Sequence, residues 1–229
     1  MSRMKPPTVL LFDIDGTLMD TGGAGRRSVE RAFAARHGRR DACAALQFGG
    51  MTDRAIARAG LTAIGVDPTP EAIAAVLAAY LEALASEILA SRARVHAGIE
   101  AALDAAVAAG AAVGLGTGNL EDGARIKLGR VGLAHRFAFG GFGSDHEGRG
   151  DLLRTGAERG ALALGVPLAQ CRVVVIGDTP RDVAAAQAIG AECLAVATGS
   201  FAAAELCAHG PTWVFRDLCA DGALQALLG

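Results

Sequence analysis

The chain has 229 residues and a formal net charge of −2, from 22 Lys and Arg against 24 Asp and Glu. Hydrophobic residues make up 52 % and charged residues 20 %, which excludes an intrinsically disordered chain and suggests one large domain or a core with a smaller insertion. The near-neutral charge and the aromatic content of 4 % argue against nucleic acid or an anionic membrane as a partner.

Predicted strands and helices alternate along most of the chain. Short β-branched runs predict strands at 8–13, 111–116, 172–177, 193–197 and 212–215, with a weaker candidate at 137–139. Apolar periodicity predicts helices at 99–109, 123–131, 151–164, 181–189 and 201–208. Strands that alternate with helices favour a parallel sheet covered on both faces, so we expect a Rossmann-like α/β core.

The alternation is interrupted between about residues 18 and 94, where the pattern is almost wholly helical. Helices are predicted there at 26–37, 53–64 and 69–91, and Pro70 suits the first turn of the last one. A helical block after the first strand of an α/β chain indicates an inserted α-helical subdomain. We therefore expect a core of residues 1–20 and 95–229 and a cap of residues 21–94.

Nothing in the sequence predicts export or membrane insertion. The apolar stretch 99–115 is interrupted by Asp104 and Gly110, and the apolar segment 9–12 ends in Asp13, too early for a signal peptide. The five cysteines are odd in number and lack CxxC spacing. We expect reduced thiols in a cytoplasmic protein that is a monomer or a homodimer.

The first chemical motif is a pair of carboxylates that follows the first predicted strand. Asp13 and Asp15 are two residues apart, and Gly16 and Thr17 come next. Strand alternation predicts that both carboxylates point to the same side. Close carboxylates repel unless a cation neutralises them or one is protonated, so the pair indicates a divalent ion, acid/base chemistry or both. A degenerate calcium loop is the alternative, but the further oxygen ligands it needs are missing.

Two more strand ends carry polar residues. Asp178 follows the predicted strand 172–177, and Asp182 lies four residues later, where a helix cap is the simpler interpretation. Together Asp13, Asp15 and Asp178 offer the hard oxygen ligands that suit Mg²⁺. Thr117, within Gly116–Asn119, stands in a glycine-bounded turn that suits an anion, although such turns are often purely structural.

These motifs, in this order, resemble those of the haloacid dehalogenase superfamily over about residues 9–196. The helical insertion is similar to the C1 cap of that family. The resemblance implies that Asp13 is the nucleophile, that Asp15 is the general acid and base, and that Asp178 helps to hold Mg²⁺. It also implies a phosphate-binding group of five residues, Gly16, Thr117, Gly118, Asn119 and Lys127, with Asp182 as an additional acidic residue.

The phosphate-stabilising cation departs from the pattern of the family. Many relatives carry this lysine about thirty residues after the Thr, but here residues 143–151 contain no lysine. Lys127 is the only lysine besides Lys5, so the resemblance favours Lys127 as the stabilising cation. Arg149 is the alternative, and its guanidinium would pair with phosphate in a different geometry.

The predicted activity is Mg²⁺-dependent hydrolysis of a small phosphorylated metabolite through an aspartyl phosphate, and a phosphoglycolate-type substrate is favoured by resemblance. Asp15 favours a phosphatase over a dehalogenase, because a halide leaving group needs no proton. Arg26 and Arg54 in the cap are candidates for an acidic leaving group, although solvated helix faces are their simpler interpretation. A sugar phosphomutase and a receiver-like regulatory domain are the alternatives.

Overall fold

The computed structural model describes residues 5–229, so residues 1–4 of the predicted core lie outside it. The main sheet has six parallel strands, β1 Thr8–Phe12, β4 Ala112–Thr117, β5 Gly140–Phe142, β6 Arg172–Gly177, β7 Glu192–Val196 and β8 Trp213–Phe215. Their order in the sheet is β5-β4-β1-β6-β7-β8. A separate antiparallel pair comprises β2 Met19–Asp20 and β3 Arg94–Val95.

The helices divide into a cap group and a core group. The cap helices are α1 Ala24–His37, α2 Asp53–Ala63 and α3 Pro70–Ala90. The core helices are α4 Ile99–Ala108, α5 Glu121–Arg130, α6 Arg149–Leu164, α7 Pro180–Ala188, α8 Ala203–Cys207 and α9 Ala223–Leu228. The expected α/β core with a parallel sheet and an inserted helical cap is thereby confirmed.

Both faces of the central strand are buried, as the apolar runs require. Leu10 and Phe12 of β1 pack into the apolar layer that includes α4, whereas Val9 and Leu11 pack into the layer that includes α6 and α7. Successive side chains of a strand point to opposite faces, so an uninterrupted apolar run serves two layers at once.

One strand differs from its prediction. The weak candidate at 137–139 is wrong, because the strand that pairs with β4 is Gly140–Phe142. A Cβ on Gly141 would lie 1.7 Å from the carbonyl oxygen of Leu152 in α6. The close approach of α6 therefore selects glycine where strand propensity favours bulky residues. The β2–β3 pair and α9 were not predicted either.

The cap has an apolar core of its own. Phe33 of α1, Leu61 of α2, and Tyr80 and Leu84 of α3 are almost fully buried in it. α3 is long and apolar enough to cross a membrane, but helices in the cores of soluble proteins have the same length and composition, so these two features alone do not indicate a membrane span. The predicted boundaries at 20/21 and 94/95 fall at the β2–β3 pair, where the chain leaves and re-enters the core.

Candidate active site

The carboxyl ends of three adjacent strands bring together side chains that are far apart in the sequence. β1 lies between β4 and β6. Asp13 follows β1, Thr117 ends β4 and Asp178 follows β6, and each residue is 5 % exposed or less. Because parallel strands end at the same edge of a sheet, these three residues meet in one buried site.

Two glycines make room for the carboxylate of Asp178. Gly16 has a φ of +85°, and a Cβ on it would lie 2.3 Å from Oδ2 of Asp178. A Cβ on Gly199 would lie 1.7 Å from the same oxygen. The Thr17 hydroxyl donates a hydrogen bond to Oδ1 of Asp178 at 3.0 Å. Gly16 therefore shapes an acidic pocket here, and its contact with phosphate stays a prediction.

On one side of Asp13, the carboxylate of Asp15 is held by two polar side chains. Lys127 Nζ and Asn119 Nδ2 donate to Asp15 Oδ2, at 2.6 Å and 2.9 Å. Asn119 also accepts from Lys127 at 2.5 Å and donates to the Thr117 hydroxyl at 2.8 Å. Asp15, Asn119, Lys127 and Thr117 therefore form one network, called here the paired side, in which one cation meets one carboxylate.

The paired side keeps Asp15 ionised. Burial disfavours its charge, but the Lys127 ammonium and the hydrogen bonds from Lys127 and Asn119 outweigh burial, so the pKa of Asp15 lies below its ordinary value. Burial also opposes the charge of Lys127, yet the neighbouring Asp15, Tyr80 and Asp53 raise its pKa. The Asp15 side chain is still 42 % exposed. It is a carboxylate that a ligand can reach.

On the other side of Asp13, Arg149 at the start of α6 joins two carboxylates. Its Nη2 lies 3.0 Å from Asp13 Oδ2, and its Nε donates to Asp182 Oδ1 at 2.8 Å. Asp182 also accepts from the peptide N–H of Thr179 at 3.0 Å and from the Thr179 hydroxyl at 2.6 Å, which closes a capping box at the start of α7. Asp182 therefore both caps a helix and pairs with Arg149.

Three carboxylates lie close enough to share a metal ion. Asp13, Asp178 and Asp182 each offer an oxygen, and these atoms lie within 4.8 Å of one another. The predicted ligand set had Asp15 in place of Asp182. The Asp15 carboxylate contacts Lys127, and its role as a metal ligand stays a prediction.

This cluster of Asp13, Asp178 and Asp182, with Arg149, is called here the acidic side, and its chemistry fits Mg²⁺. Hard oxygen donors suit this ion, and one guanidinium balances only one of the three carboxylates. Burial and the repulsion of neighbouring carboxylates raise the pKa of Asp13 and of Asp178, although Arg149 lowers both. The space beside Asp178 that Gly16 and Gly199 keep open would be filled by a Cβ.

Lys127 and Arg149, weighed above as alternatives, both lie in the site. Lys127 contacts Asp15, and Arg149 contacts Asp13. Their side chains are 4 % and 8 % exposed, so both charges are held away from bulk water. The structure therefore places one buried cation beside each of the two carboxylates that follow β1.

A cavity of about 320 Å³ lies between the core and the cap and opens onto both Asp13 and Asp15. Its cap wall includes Val29, Phe48, Met51, Ile56, Tyr80, Arg26 and Asp53. Arg26 donates to the carbonyl oxygens of Leu46 and Cys43, at 2.7 Å and 3.4 Å, and its guanidinium lies 4.0 Å above the ring centroid of Phe48. Backbone contacts and stacking thus fix this cation in the wall.

Arg54 does not reach the cavity, although it was grouped with Arg26 as a substrate-binding candidate. Its side chain is exposed and donates to the carbonyl oxygen of Ser144 at 3.1 Å. Arg54 follows Asp53, and adjacent residues of a helix point in different directions, so only Asp53 faces the site. Arg54 is therefore a contact between cap and core.

Asp53 and Tyr80 are among the cavity residues that the sequence analysis missed. Both come from the cap and are buried, at 8 % and 2 % exposure. Thr52 is the N-cap of α2, and its residue type is typical of that position. An acidic residue in the first turn, such as Asp53, is usually explained by the helix dipole, so the sequence did not indicate that Asp53 belongs to the site. Tyr80 lies on the apolar face of α3 and gives no polar signal in the sequence.

A family model described as haloacid dehalogenase-like hydrolase matches residues 7–190. No curated protein matches the chain. Solved structures share its fold over nearly the whole chain. A protein from Clostridium acetobutylicum named as a predicted phosphatase has a TM-score of 0.72 and 19 % identity, covering 98 % of this chain and 99 % of its own.

Two other solved structures are similar to the chain. One, from Haemophilus somnus and named as a predicted phosphoglycolate phosphatase, has a TM-score of 0.69 and 16 % identity, covering 98 % and 99 % of the two chains. A variant of CbbY from Rhodobacter sphaeroides in complex with xylulose-1,5-bisphosphate has a TM-score of 0.72 and 20 % identity, covering 96 % and 99 %. At these identities the likeness shows the fold.

Proposed function

This chain belongs to the haloacid dehalogenase-like hydrolases, and on that premise we propose that it is a phosphatase of small phosphomonoesters. In the proposed reaction Asp13 is the nucleophile and Asp15 is the general acid and base. The observation that carries the proposal is the different surroundings of these two carboxylates, which are two residues apart. Asp13 lies among buried acids with Arg149, whereas Asp15 pairs with Lys127 and opens onto the cavity.

In the first step a carboxylate oxygen of Asp13 attacks phosphorus, and the bond from phosphorus to the leaving oxygen breaks. Asp15 gives its proton to the departing alkoxide. Asp15 is ionised while it is paired with Lys127, so for the first turnover it must gain a proton from solvent water when the substrate binds; the second step returns that proton from the attacking water. A phosphoryl group that draws the Lys127 ammonium towards itself weakens this pair and favours that protonation.

In the second step Asp15 takes a proton from water, and the resulting hydroxide attacks the aspartyl phosphate. The bond between phosphorus and the Asp13 oxygen breaks, so inorganic phosphate leaves and Asp13 is regenerated. The proposed donors to the phosphoryl oxygens are Lys127, Arg149, the Thr117 hydroxyl and the backbone amide of Gly118. Charge in phosphoryl transfer concentrates on those oxygens, which is why such donors accelerate it.

Mg²⁺ is part of the proposal. Asp13, Asp178 and Asp182 would hold it, because they supply clustered hard oxygens with too little positive charge around them. The bound ion would offset the repulsion between the Asp13 carboxylate and an anionic phosphate.

The proposed substrate is a small phosphate ester with an acidic leaving group, of which phosphoglycolate is the simplest. The cavity of about 320 Å³ fits a small leaving group. Arg26 keeps its guanidinium at the cavity wall, and two of its nitrogen atoms are hydrogen-bonded to backbone carbonyls. Arginine has five N–H donors, so some remain for a carboxylate.

The decisive experiment measures phosphate release from a panel of phosphorylated metabolites, with Mg²⁺ and with EDTA, for the wild type and Asp13→Asn. We expect Mg²⁺-dependent release, and a loss of roughly 10⁴-fold in kcat for the variant because the amide is not a nucleophile. Circular dichroism checks that the variant is folded. Retained activity in the variant would place the nucleophile elsewhere, and isomerisation of a sugar phosphate without net release would favour a phosphomutase.

A matched pair of substrates tests the acidic leaving group. Phosphoglycolate and 2-hydroxyethyl phosphate have nearly the same size, but only the first carries a carboxylate. We expect higher kcat/KM for phosphoglycolate and expect Arg26→Gln to remove most of that preference. Equal kcat/KM for the two esters in the wild type would contradict this part of the proposal.

A further inference from the structure

We propose that Asp53 is a positioning residue through which the cap organises the phosphate-binding turn, residues 117–120. The inference rests on the proposed function, because the turn and α5 carry the groups assigned to catalysis. Asp53 is the first residue of α2 in the cap, and its carboxylate lines the cavity although it is 8 % exposed. The proposed reaction gives it no direct role.

Asp53 contacts the turn twice. Its peptide N–H donates to the carbonyl oxygen of Gly118 at 2.8 Å, and its Oδ2 accepts from the peptide N–H of Leu120 at 2.8 Å. A Cβ on Gly118 would lie 2.3 Å from the carbonyl oxygen of Met51, so the cap backbone packs directly on the turn. On the core side Gly143 donates to the carbonyl oxygen of Asn119 at 2.8 Å. The turn is therefore clamped between cap and core.

The Asp53 carboxylate supplies a capping acceptor that the sequence of α5 lacks. In a capping box, a side chain at the third helical position accepts from the N–H of the N-cap residue. Here the N-cap is Leu120, which has no side-chain acceptor, and the third position is Gly123. Asp53 from the cap accepts from the Leu120 N–H in place of that missing side chain. A carboxylate at this end of a helix also interacts favourably with the helix dipole.

The contact between Asp53 and the turn affects the position of Asp15 through two residues, Asn119 and Lys127. Asn119 directly precedes Leu120 and donates to Asp15, and Lys127 lies on α5 and donates to the same carboxylate oxygen. A fixed Leu120 amide fixes the direction in which Asn119 and α5 leave the turn. Asp53 thus makes the geometry around the general acid depend on the docked cap, without itself touching Asp15.

The chain offers a matched control. Arg58, also on α2, donates from Nε and Nη2 to the two carboxylate oxygens of Glu147 in the core, at 2.9 Å and 3.0 Å. This pair joins cap and core but does not touch the turn. Arg58→Ala therefore weakens docking of the cap in general, whereas Asp53→Ala removes the acceptor of the Leu120 amide. Asp53→Asn keeps an acceptor oxygen.

We expect Asp53→Ala to lower kcat by about 30-fold with KM changed by about threefold or less, because one buried acceptor is lost. Asp53→Asn should retain at least about a fifth of kcat, and Arg58→Ala should stay within about twofold of the wild type. Wild-type kcat in Asp53→Ala would overturn the proposal. So would an equal loss in Arg58→Ala, which would assign the effect to docking alone, or an equal loss in Asp53→Asn, which would assign it to charge.

A second measurement is independent of activity. Amide hydrogen exchange should accelerate at Leu120 in Asp53→Ala but not in Asp53→Asn or Arg58→Ala, with circular dichroism confirming that each variant is folded. Unchanged exchange at Leu120 in Asp53→Ala overturns the proposal even if the enzyme is a phosphatase. If no phosphate ester is turned over, the proposed function fails, and the exchange pattern still decides whether Asp53 holds the turn.

Discussion

The two sides of Asp13 are built from similar residues but differ in charge balance. On the paired side, one carboxylate, Asp15, meets one ammonium, Lys127. On the acidic side, three carboxylates, Asp13, Asp178 and Asp182, lie together, and one guanidinium, Arg149, contacts Asp13 and Asp182. The pKa of Asp15 is accordingly lowered, whereas the pKa values of Asp13 and Asp178 are raised, by burial first and by neighbouring carboxylates second.

This difference in charge balance indicates which side suits proton transfer and which suits metal binding. A neutral pair can exchange partners when a phosphoryl group arrives, so the paired side suits proton transfer. On the acidic side one guanidinium leaves excess negative charge on three carboxylates, so this side suits metal binding. The same residue types therefore suit two tasks, because one cation faces a single carboxylate on the paired side and three carboxylates on the acidic side.

Among the variants that test the two sides separately, we expect the strongest loss of activity when either cation is removed. Lys127→Ala and Arg149→Ala should each lower kcat by roughly 10²–10³-fold, because each removes a donor to the transferring phosphoryl group or to a reacting carboxylate. Arg149→Lys should recover little, because a single ammonium cannot reproduce the contacts of the guanidinium with both Asp13 and Asp182. Initial rates of phosphate release, with thermal unfolding as a check of folding, measure this.

The two variants also test whether both sides of Asp13 take part in catalysis. Near wild-type activity in Lys127→Ala together with an inactive Arg149→Ala would assign phosphate stabilisation to Arg149 alone. The paired side would then be structural.

The next effect concerns metal binding. At a Mg²⁺ concentration of about 100 Kd, binding to the native state alone should stabilise the protein by about 2.7 kcal/mol and raise Tm by about 5–10 °C. Asp178→Asn should lose this shift, because it removes a carboxylate of the acidic side, and Lys127→Ala should keep it. Thermal unfolding with and without Mg²⁺ measures both. An equal shift in Asp178→Asn would place the metal elsewhere.

The smallest effect concerns Arg58 and Glu147, which join cap and core outside the site. The hydrogen bond from Arg58 lowers the pKa of Glu147, so the pair stabilises the fold at pH values above the ordinary pKa of Glu. That contribution is lost as pH falls through the lowered value. Both side chains are more than a third exposed, so Arg58→Ala should lower Tm by about 2 °C or less at pH 7 and by less still near pH 3. A large, pH-independent loss would contradict this.

Much of the site was predictable because it depends on strand ends. Asp13, Thr117 and Asp178 each follow or end an apolar run of a kind that forms a central parallel strand, and the carboxyl ends of such strands meet. The α/β fold with its cap was also predictable, because the hydrophobic periodicity of a long segment indicates whether it is a helix or a strand. The segment Gly140–Phe142 was not, since its glycines are selected by the approach of α6 and not by strand propensity.

The amino-acid sequence alone indicates which acids follow the strands of the sheet, and it indicates that a helical block interrupts the alternation of strands and helices. These are local patterns of apolar and polar residues, and they persist whatever packs around them. Which side chains become partners depends on the tertiary structure. The pairing of Lys127 with Asp15, of Arg149 with Asp13 and of Asp53 with the Leu120 amide depends on where helices from other parts of the chain approach the sheet edge. No local pattern encodes such contacts, because they arise from the packing of the whole molecule.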